Sequence, residues 1–239
     1  FMLNSVKLKM IVEPAKYTLA TFLLITCLLW SNCRKDELET VNLNRGHDYF
    51  PIEIGFSWTY QVDSIVFNKF NERIDTLHYN VKFVAEDSIQ DSIGSAIKMV
   101  KYIQQDTSFP WSFDSELVIQ RDDNVLRVKQ NNETITKLIF PLDLYKYWDG
   151  NILNSGEEEL FEVVTLHEPF VGLNIQTDSS LRVIHRDRIN ALERFYGEEV
   201  YANKLGLIYK REIDKRSTSI GQQIPNGFDY SYQLISFEK

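Results

Sequence analysis

Few side chains in this sequence stand where catalysis would need them. The four histidines, His47, His78, His167 and His185, fall in no HxH or HExxH arrangement. Pro169, directly after His167-Glu168, breaks the helix that a metalloprotease pair requires. No GxSxG turn exposes a nucleophile, and Gly55, Gly94, Gly150, Gly172 and Gly206 stand singly, so no glycine-rich loop cradles a phosphate. Both cysteines, Cys27 and Cys33, lie near the N-terminus, which leaves the body without a thiol nucleophile or a Cys-ligated metal. Asp and Glu number 34, but chance pairs at that density do not make the two-carboxylate geometry of a sugar hydrolase. Glu157-Glu158-Glu159 reads as a solvated loop and lacks calcium-loop spacing. No catalytic residue, metal or cofactor is expected. An envelope hydrolase is the third-ranked reading, and it needs two carboxylates facing one cleft with one pKa raised.

The aromatic residues offer binding chemistry instead. Phe109, Trp111 and Phe113 cluster around Pro110 between two strand-like runs. Their flat faces suit a sugar ring or a partner protein; folding back to cap an open barrel end is the alternative. Tyr145, Tyr147 and Trp148 admit the same two readings. Four segments, Asp63-Ser64-Ile65, Asp75-Thr76-Leu77, Asp87-Ser88-Ile89 and Asp91-Ser92-Ile93, place a hydroxyl between Asp and an aliphatic residue. This pattern resembles the O-glycosylation signal of exported Bacteroidota proteins and makes Ser64, Thr76, Ser88 and Ser92 candidate glycan sites. Asp-Ser pairs also start β-turns without any glycan.

The elements that must position these groups read as strands. Trp58, Tyr60 and Val62 share one face, and after Asp63-Ser64 the apolar residues Ile65 and Phe67 take the opposite parity, as a bulge would produce. Leu77, Tyr79, Val81 and Phe83 alternate with polar residues, and later runs such as 97–103, 134–140, 160–166, 207–213 and 228–237 continue the pattern. Turn signals such as Asp149-Gly150 and Asn226-Gly227 separate them. About ten short strands at this spacing predict an all-β, mainly antiparallel fold: a single curved sheet or half-open barrel, or a β-sandwich, with at most one short helix. That helix is expected over 189–202. With no Gly- or Pro-rich linker, residues 49–239 form one domain. An echo divides it into two similar halves, 49–139 and 140–239: Phe50-Pro51 is followed by Trp58 and Phe140-Pro141 by Trp148, seven residues after each proline.

The N-terminus reads as an address. Lys7, Lys9 and Lys16 precede the apolar run 17–30, which is shorter than the ~20 residues a membrane span needs. Cys33 follows Ser31-Asn32, and the chain then turns charged at Arg34-Lys35-Asp36-Glu37. The segment resembles a bacterial lipoprotein signal: residues 1–32 form the signal peptide, Cys33 takes the fatty acyl chains, and 33–48 form a charged tether. Lys35-Asp36-Glu37 resembles the tag that sends Bacteroidota lipoproteins to the cell surface, which places the protein on the outer membrane. The whole chain has 239 residues with 26 Lys and Arg against 34 Asp and Glu, a net charge of −8 that disfavours nucleic acid as a partner.

Three longer segments carry a further likeness. Residues 49–60 (Tyr-Phe-Pro-Ile-Glu-Ile-Gly-Phe-Ser-Trp-Thr-Tyr), Phe140-Pro141 through Asn151, and Tyr201 through Lys210 resemble the opening, middle and closing motifs of a group of uncharacterised Bacteroidota envelope lipoproteins. The resemblance implies a secreted β-rich lipoprotein and transfers no activity. The expected partners are the membrane, through Cys33, and an unidentified protein, glycan or lipid ligand. The leading expectation is a non-catalytic binding or structural role, and the second is a carrier of a lipid or other hydrophobic ligand inside a half-open barrel.

Overall fold

The structure, a computed structural model, describes residues 45–91, 94–172 and 175–239. The proposed signal segment, Cys33 and the candidate site Ser92 lie outside the described residues. Twelve antiparallel strands form one sheet: β1 (Ser57–Asn68), β2 (Arg73–Asp91), β3 (Gly94–Gln104), β4 (Ser112–Arg121), β5 (Val125–Gln130), β6 (Glu133–Ile139), β7 (Tyr147–Asp149), β8 (Leu160–Val171), β9 (Gln176–Ile189), β10 (Glu193–Ala202), β11 (Gly206–Arg216) and β12 (Asn226–Glu238). Their order is β6-β5-β4-β3-β2-β1-β12-β11-β10-β9-β8-β7, so the sheet curls into a nearly closed barrel with the first strand paired to the last. The fold is all-β, as the alternation requires, and a single sheet replaces the sandwich alternative. Strand alternation fills the interior, where Tyr60, Val62, Val81, Leu117, Ile119, Val163 and Val183 are buried.

Two local expectations are corrected. Residues 189–202, expected as a helix, form the end of β9 and all of β10. The Glu-Glu-Val-Tyr-Ala stretch has helical propensity, but its pairing with β9 and β11 overrides it. No bulge interrupts Asp63-Ser64: β1 pairs with β2 without a register shift, and the shift against β12 falls at Thr59/Tyr60 instead. Ile65 and Phe67 therefore occupy the outer face, where the Lys215 ammonium lies 4.3 Å from the Phe67 ring centroid.

The barrel's seam lies between β6 and the three-residue β7, and few main-chain bonds cross it. Thr136 N–H donates to Gly150 O at 2.9 Å. The Trp148 indole donates to Thr136 O at 2.8 Å. The Asn154 amide acts as a surrogate strand, accepting from Thr134 N–H at 2.9 Å and donating to Thr134 O at 3.0 Å. Asn154→Ala should destabilise the protein by about 1–3 kcal/mol, because it orphans both backbone groups of Thr134. Hydrogen exchange should accelerate at the Thr134 amide and not at Val183; unchanged exchange at Thr134 would mean that the seam is held elsewhere.

The opposite task, closing one end, falls to residues 45–56. A single 3-10 turn (His47–Tyr49) puts Tyr49 fully inside, its hydroxyl bonded to His167 Nδ1 at 2.7 Å and Ser179 Oγ at 2.8 Å. The packed body begins earlier than Tyr49, since Leu142 N–H donates to Arg45 O at 3.1 Å and Lys204 N–H to Asp48 O at 2.7 Å. The three lipoprotein-like segments meet here. The Trp58 indole donates to Leu205 O at 2.7 Å, His47 packs edge-on against Phe140 at 4.3 Å, and Phe50 lies 6.2 Å from Tyr201. Gly206, at φ 85°, gives the Trp58 ring its space. These motifs build the plug and the seam, and the closing one also sends Tyr201 and Lys210 into the interior.

Candidate functional site

Register assembles the interior into rows. Across β8, β9, β10, β11, β12 and β1, one row reads Phe161, His185, Gly197, Glu212, Tyr230 and Ser64. The next inward row, two residues along each strand, reads Val163, Val183, Glu199, Lys210, Tyr232 and Val62. Both rows are apolar on β8; the first turns polar at His185 on β9, the second at Glu199 on β10, and the second is apolar again at Val62 on β1. Gly197 leaves room for the His185 ring, which an added Cβ would meet at 2.3 Å, and that ring stacks on Phe161 at 4.5 Å.

The charges form a continuous chain inside the barrel. Lys137, reaching from β6, donates to Glu199 Oε1 at 2.6 Å, and Lys210 stands 3.7 Å from the same oxygen. Lys210 is also 3.2 Å from Glu212 Oε1, which lies 3.3 Å from His185 Nε2. His185 Nδ1 is 2.7 Å from Glu159 Oε1. The Tyr201 hydroxyl donates to Glu199 Oε2. The Glu199 side chain is only 2% exposed. Burial by itself would raise its pKa, but Lys137, Lys210 and His185 outweigh burial and hold the carboxyl well below the usual range. Glu159 is likewise lowered, burial being overcome by its bond to His185. Burial, then the Glu199 carboxylate, pushes the Tyr201 hydroxyl up, so it stays protonated as a donor. Lys210, disfavoured by burial, is nevertheless raised well above its ordinary value by Glu212, Tyr230 and Glu199.

A cavity of about 540 Å³ occupies the lumen. On one side Trp58, Phe83, Met99, Leu117, Ile119 and Val128 make an apolar wall; on the other stand the chain of charges and Phe161. The cavity extends from Phe50 and Gly206 at the plug to Asn131 in the exposed β5–β6 turn and Glu133 at the start of β6, so it opens away from the plug. A second recess of about 600 Å³ shares Glu159, His185 and Arg186 with it, and there Arg186, Arg188 and Arg216 surround the Phe195 ring at 4.7–5.5 Å.

The sequence candidates fall elsewhere. Phe109, Trp111 and Phe113 are exposed (59%, 37% and 62%) around the β3–β4 connection, and none lines the lumen. Tyr145 and Tyr147 are exposed as well, whereas Trp148 is core. Ser64 is buried on the inward face, while Thr76 and Ser88 are exposed. Residues 157–159 form a loop, as expected, and Glu157 and Glu158 are solvated, but Glu159 turns in to His185. Lys137, Glu199, Lys210 and Glu212 were missed because alternation assigns charged residues in a strand to solvent. Only the register shows that they share parity with buried neighbours. Among the described residues no group of three or more His, Cys, Asp or Glu could hold a metal ion.

No protein-family model matches the sequence, and no curated protein matches it significantly. The chain is similar to the solved structure of a Bacteroides fragilis protein predicted to be exported, with a YmcC-like fold: 10% identity over 80% of this chain and 98% of that one, TM-score 0.44. It is also similar to that of a predicted lipoprotein from Parabacteroides distasonis, 11% identical over 80% of this chain and 98% of that one, TM-score 0.37.

Proposed function

We propose that this chain is an exported, lipid-anchored envelope protein with a non-catalytic binding role, and that its barrel holds a ligand in the lumen. The observation that carries this reading is the 540 Å³ cavity with one apolar and one charged wall. Buried ion pairs are a poor source of stability compared with hydrophobic packing, so a chain of them facing an open cavity is better accounted for by a ligand than by folding. The cavity also favours the carrier reading, in which the ligand is a lipid or another hydrophobe delivered across the envelope. A hydrolase would use one raised carboxyl as an acid, whereas Glu159 and Glu199 are both lowered. The exposed Phe109, Trp111 and Phe113 remain the candidate contact for a protein or glycan partner, and Thr76 and Ser88 the accessible candidate glycan sites.

Native mass spectrometry of the mature protein taken from its envelope tests the ligand. A retained mass of a few hundred daltons, lost on denaturation, is expected; a clean apo mass would remove the lumen reading. Cys33→Ala tests the anchor separately. The parent should incorporate a labelled fatty acid and the variant should not, and equal labelling of the two would refute lipidation at Cys33.

A further inference from the structure

If the lumen is a ligand site, as proposed above, its charge pattern constrains what the ligand carries. Every cation lining the cavity is already engaged. Lys137 is held by Glu199, Lys210 by Glu212 and Glu199, Lys101 by Asp114 at 3.0 Å, and Arg186 by Asp214 at 3.1 Å. The deep acids are engaged in turn by those cations, by Tyr201 and by His185. A carboxylate or phosphate head would have to displace a glutamate from its lysine, and an ammonium head a lysine from its glutamate. Either exchange strands a charge in a low-dielectric interior. Among the described residues, the buried polar atom that lines this cavity without a hydrogen bond is His185 Nε2. It sits 3.3 Å from Glu212 Oε1 but out of hydrogen-bond alignment. A hydroxyl donates to an acceptor and accepts from a donor, so a head group with two adjacent hydroxyls can meet both His185 Nε2 and the Glu212 carboxylate in either imidazole tautomer without opening an ion pair.

We propose that the lumen binds an uncharged amphiphile, its hydroxylated end at the His185–Glu212 corner and its apolar body against Trp58, Phe83, Met99, Leu117 and Ile119. The test uses the mature chain from residue 34 onward, which carries neither the acylated Cys33 nor the apolar run 17–30 and so needs no detergent. Native mass spectrometry reads adducts with three twelve-carbon amphiphiles of one chain length: 1-monolauroylglycerol, laurate and dodecylammonium, each below its micellar concentration. Monolauroylglycerol should form a one-to-one adduct at a concentration at least ten-fold lower than either ion. Equal or stronger binding of laurate or dodecylammonium would overturn this inference and leave the lumen reading standing. No adduct with any of the three would overturn both. Leu117→Trp, or Ile119→Trp if the first misfolds, fills the apolar wall and should abolish the adduct; persistence of the adduct in the folded variant would place binding outside the lumen and overturn the proposal.

Discussion

Lys137→Met should destabilise the barrel by about 3–5 kcal/mol, because it leaves the Glu199 carboxylate buried without its nearest cation. At roughly 2–4 °C per kcal/mol for a chain of this size, the loss is easily read as a fall in Tm. Lys137 also crosses from β6 to β10 and passes 5.4 Å from the Phe161 ring, so it ties the weak seam to the far wall. The comparison that isolates charge from packing is the double variant Lys137→Met, Glu199→Leu. Replacing both partners by apolar groups removes the orphaned charge and should restore most of the loss. A single variant within 1 kcal/mol of the parent would show that water reaches Glu199 and that the chain of charges is not desolvated.

The same group sets the response to acid. Glu199 and Glu159 have folded pKa values below those of an unfolded glutamate, about 4.3. Their contribution to stability is therefore complete above that value and is lost as pH falls through the lower folded values. Asp229, where burial is outweighed by Arg211 and Lys215, adds in the same direction. Thermal stability should be flat from pH 7 to 5 and fall below about pH 4.5. In Glu199→Gln the acid limb should be shallower, and an unchanged slope would assign acid sensitivity to the surface carboxylates.

Much of the architecture was legible because burial and alternation coincide: Trp58, Tyr60, Val62 and Val81 declared both their strands and their faces. The seven-residue spacing from Pro51 to Trp58 and from Pro141 to Trp148 also has a physical counterpart. Trp58 sits in the first of the six strands β1–β6 and Trp148 in the first of β7–β12, and each buries its ring and donates its N–H to a backbone carbonyl. The interior chemistry was not legible. Glu199 and Lys210 became a site only through long-range pairing of β10 with β11 and the reach of Lys137 across the seam, separations that local periodicity does not encode. The exposed aromatics drew attention because a loop context is visible in sequence, whereas inward-facing lysines and glutamates look like any solvated strand edge.

A second large effect should come from Gly227→Ala at the mouth of the barrel. Gly227 is the second residue of β12, at φ 135°, and it pairs with Lys215 on β11 and Phe67 on β1. An added Cβ would lie 1.8 Å from Asp214 O, a main-chain atom of β11, so no side-chain rotation relieves the contact and the strands themselves must part. The left-handed φ adds strain of about 1–3 kcal/mol, and the clash should bring the total to roughly 3 kcal/mol or more. Asp214 also holds Arg186 at 3.1 Å and Arg216 at 3.1 Å, so a displaced β11 should loosen the arginines around Phe195 at the recess. Gly221→Ala supplies the control: its φ is 83° but nothing lies within 4 Å of the new Cβ, leaving only the conformational cost of about 1 kcal/mol. Urea denaturation of the two variants separates strain from collision. Equal losses would mean that β11 and β12 part freely at this end, and that the mouth of the lumen is compliant rather than fixed by the Gly227 approach.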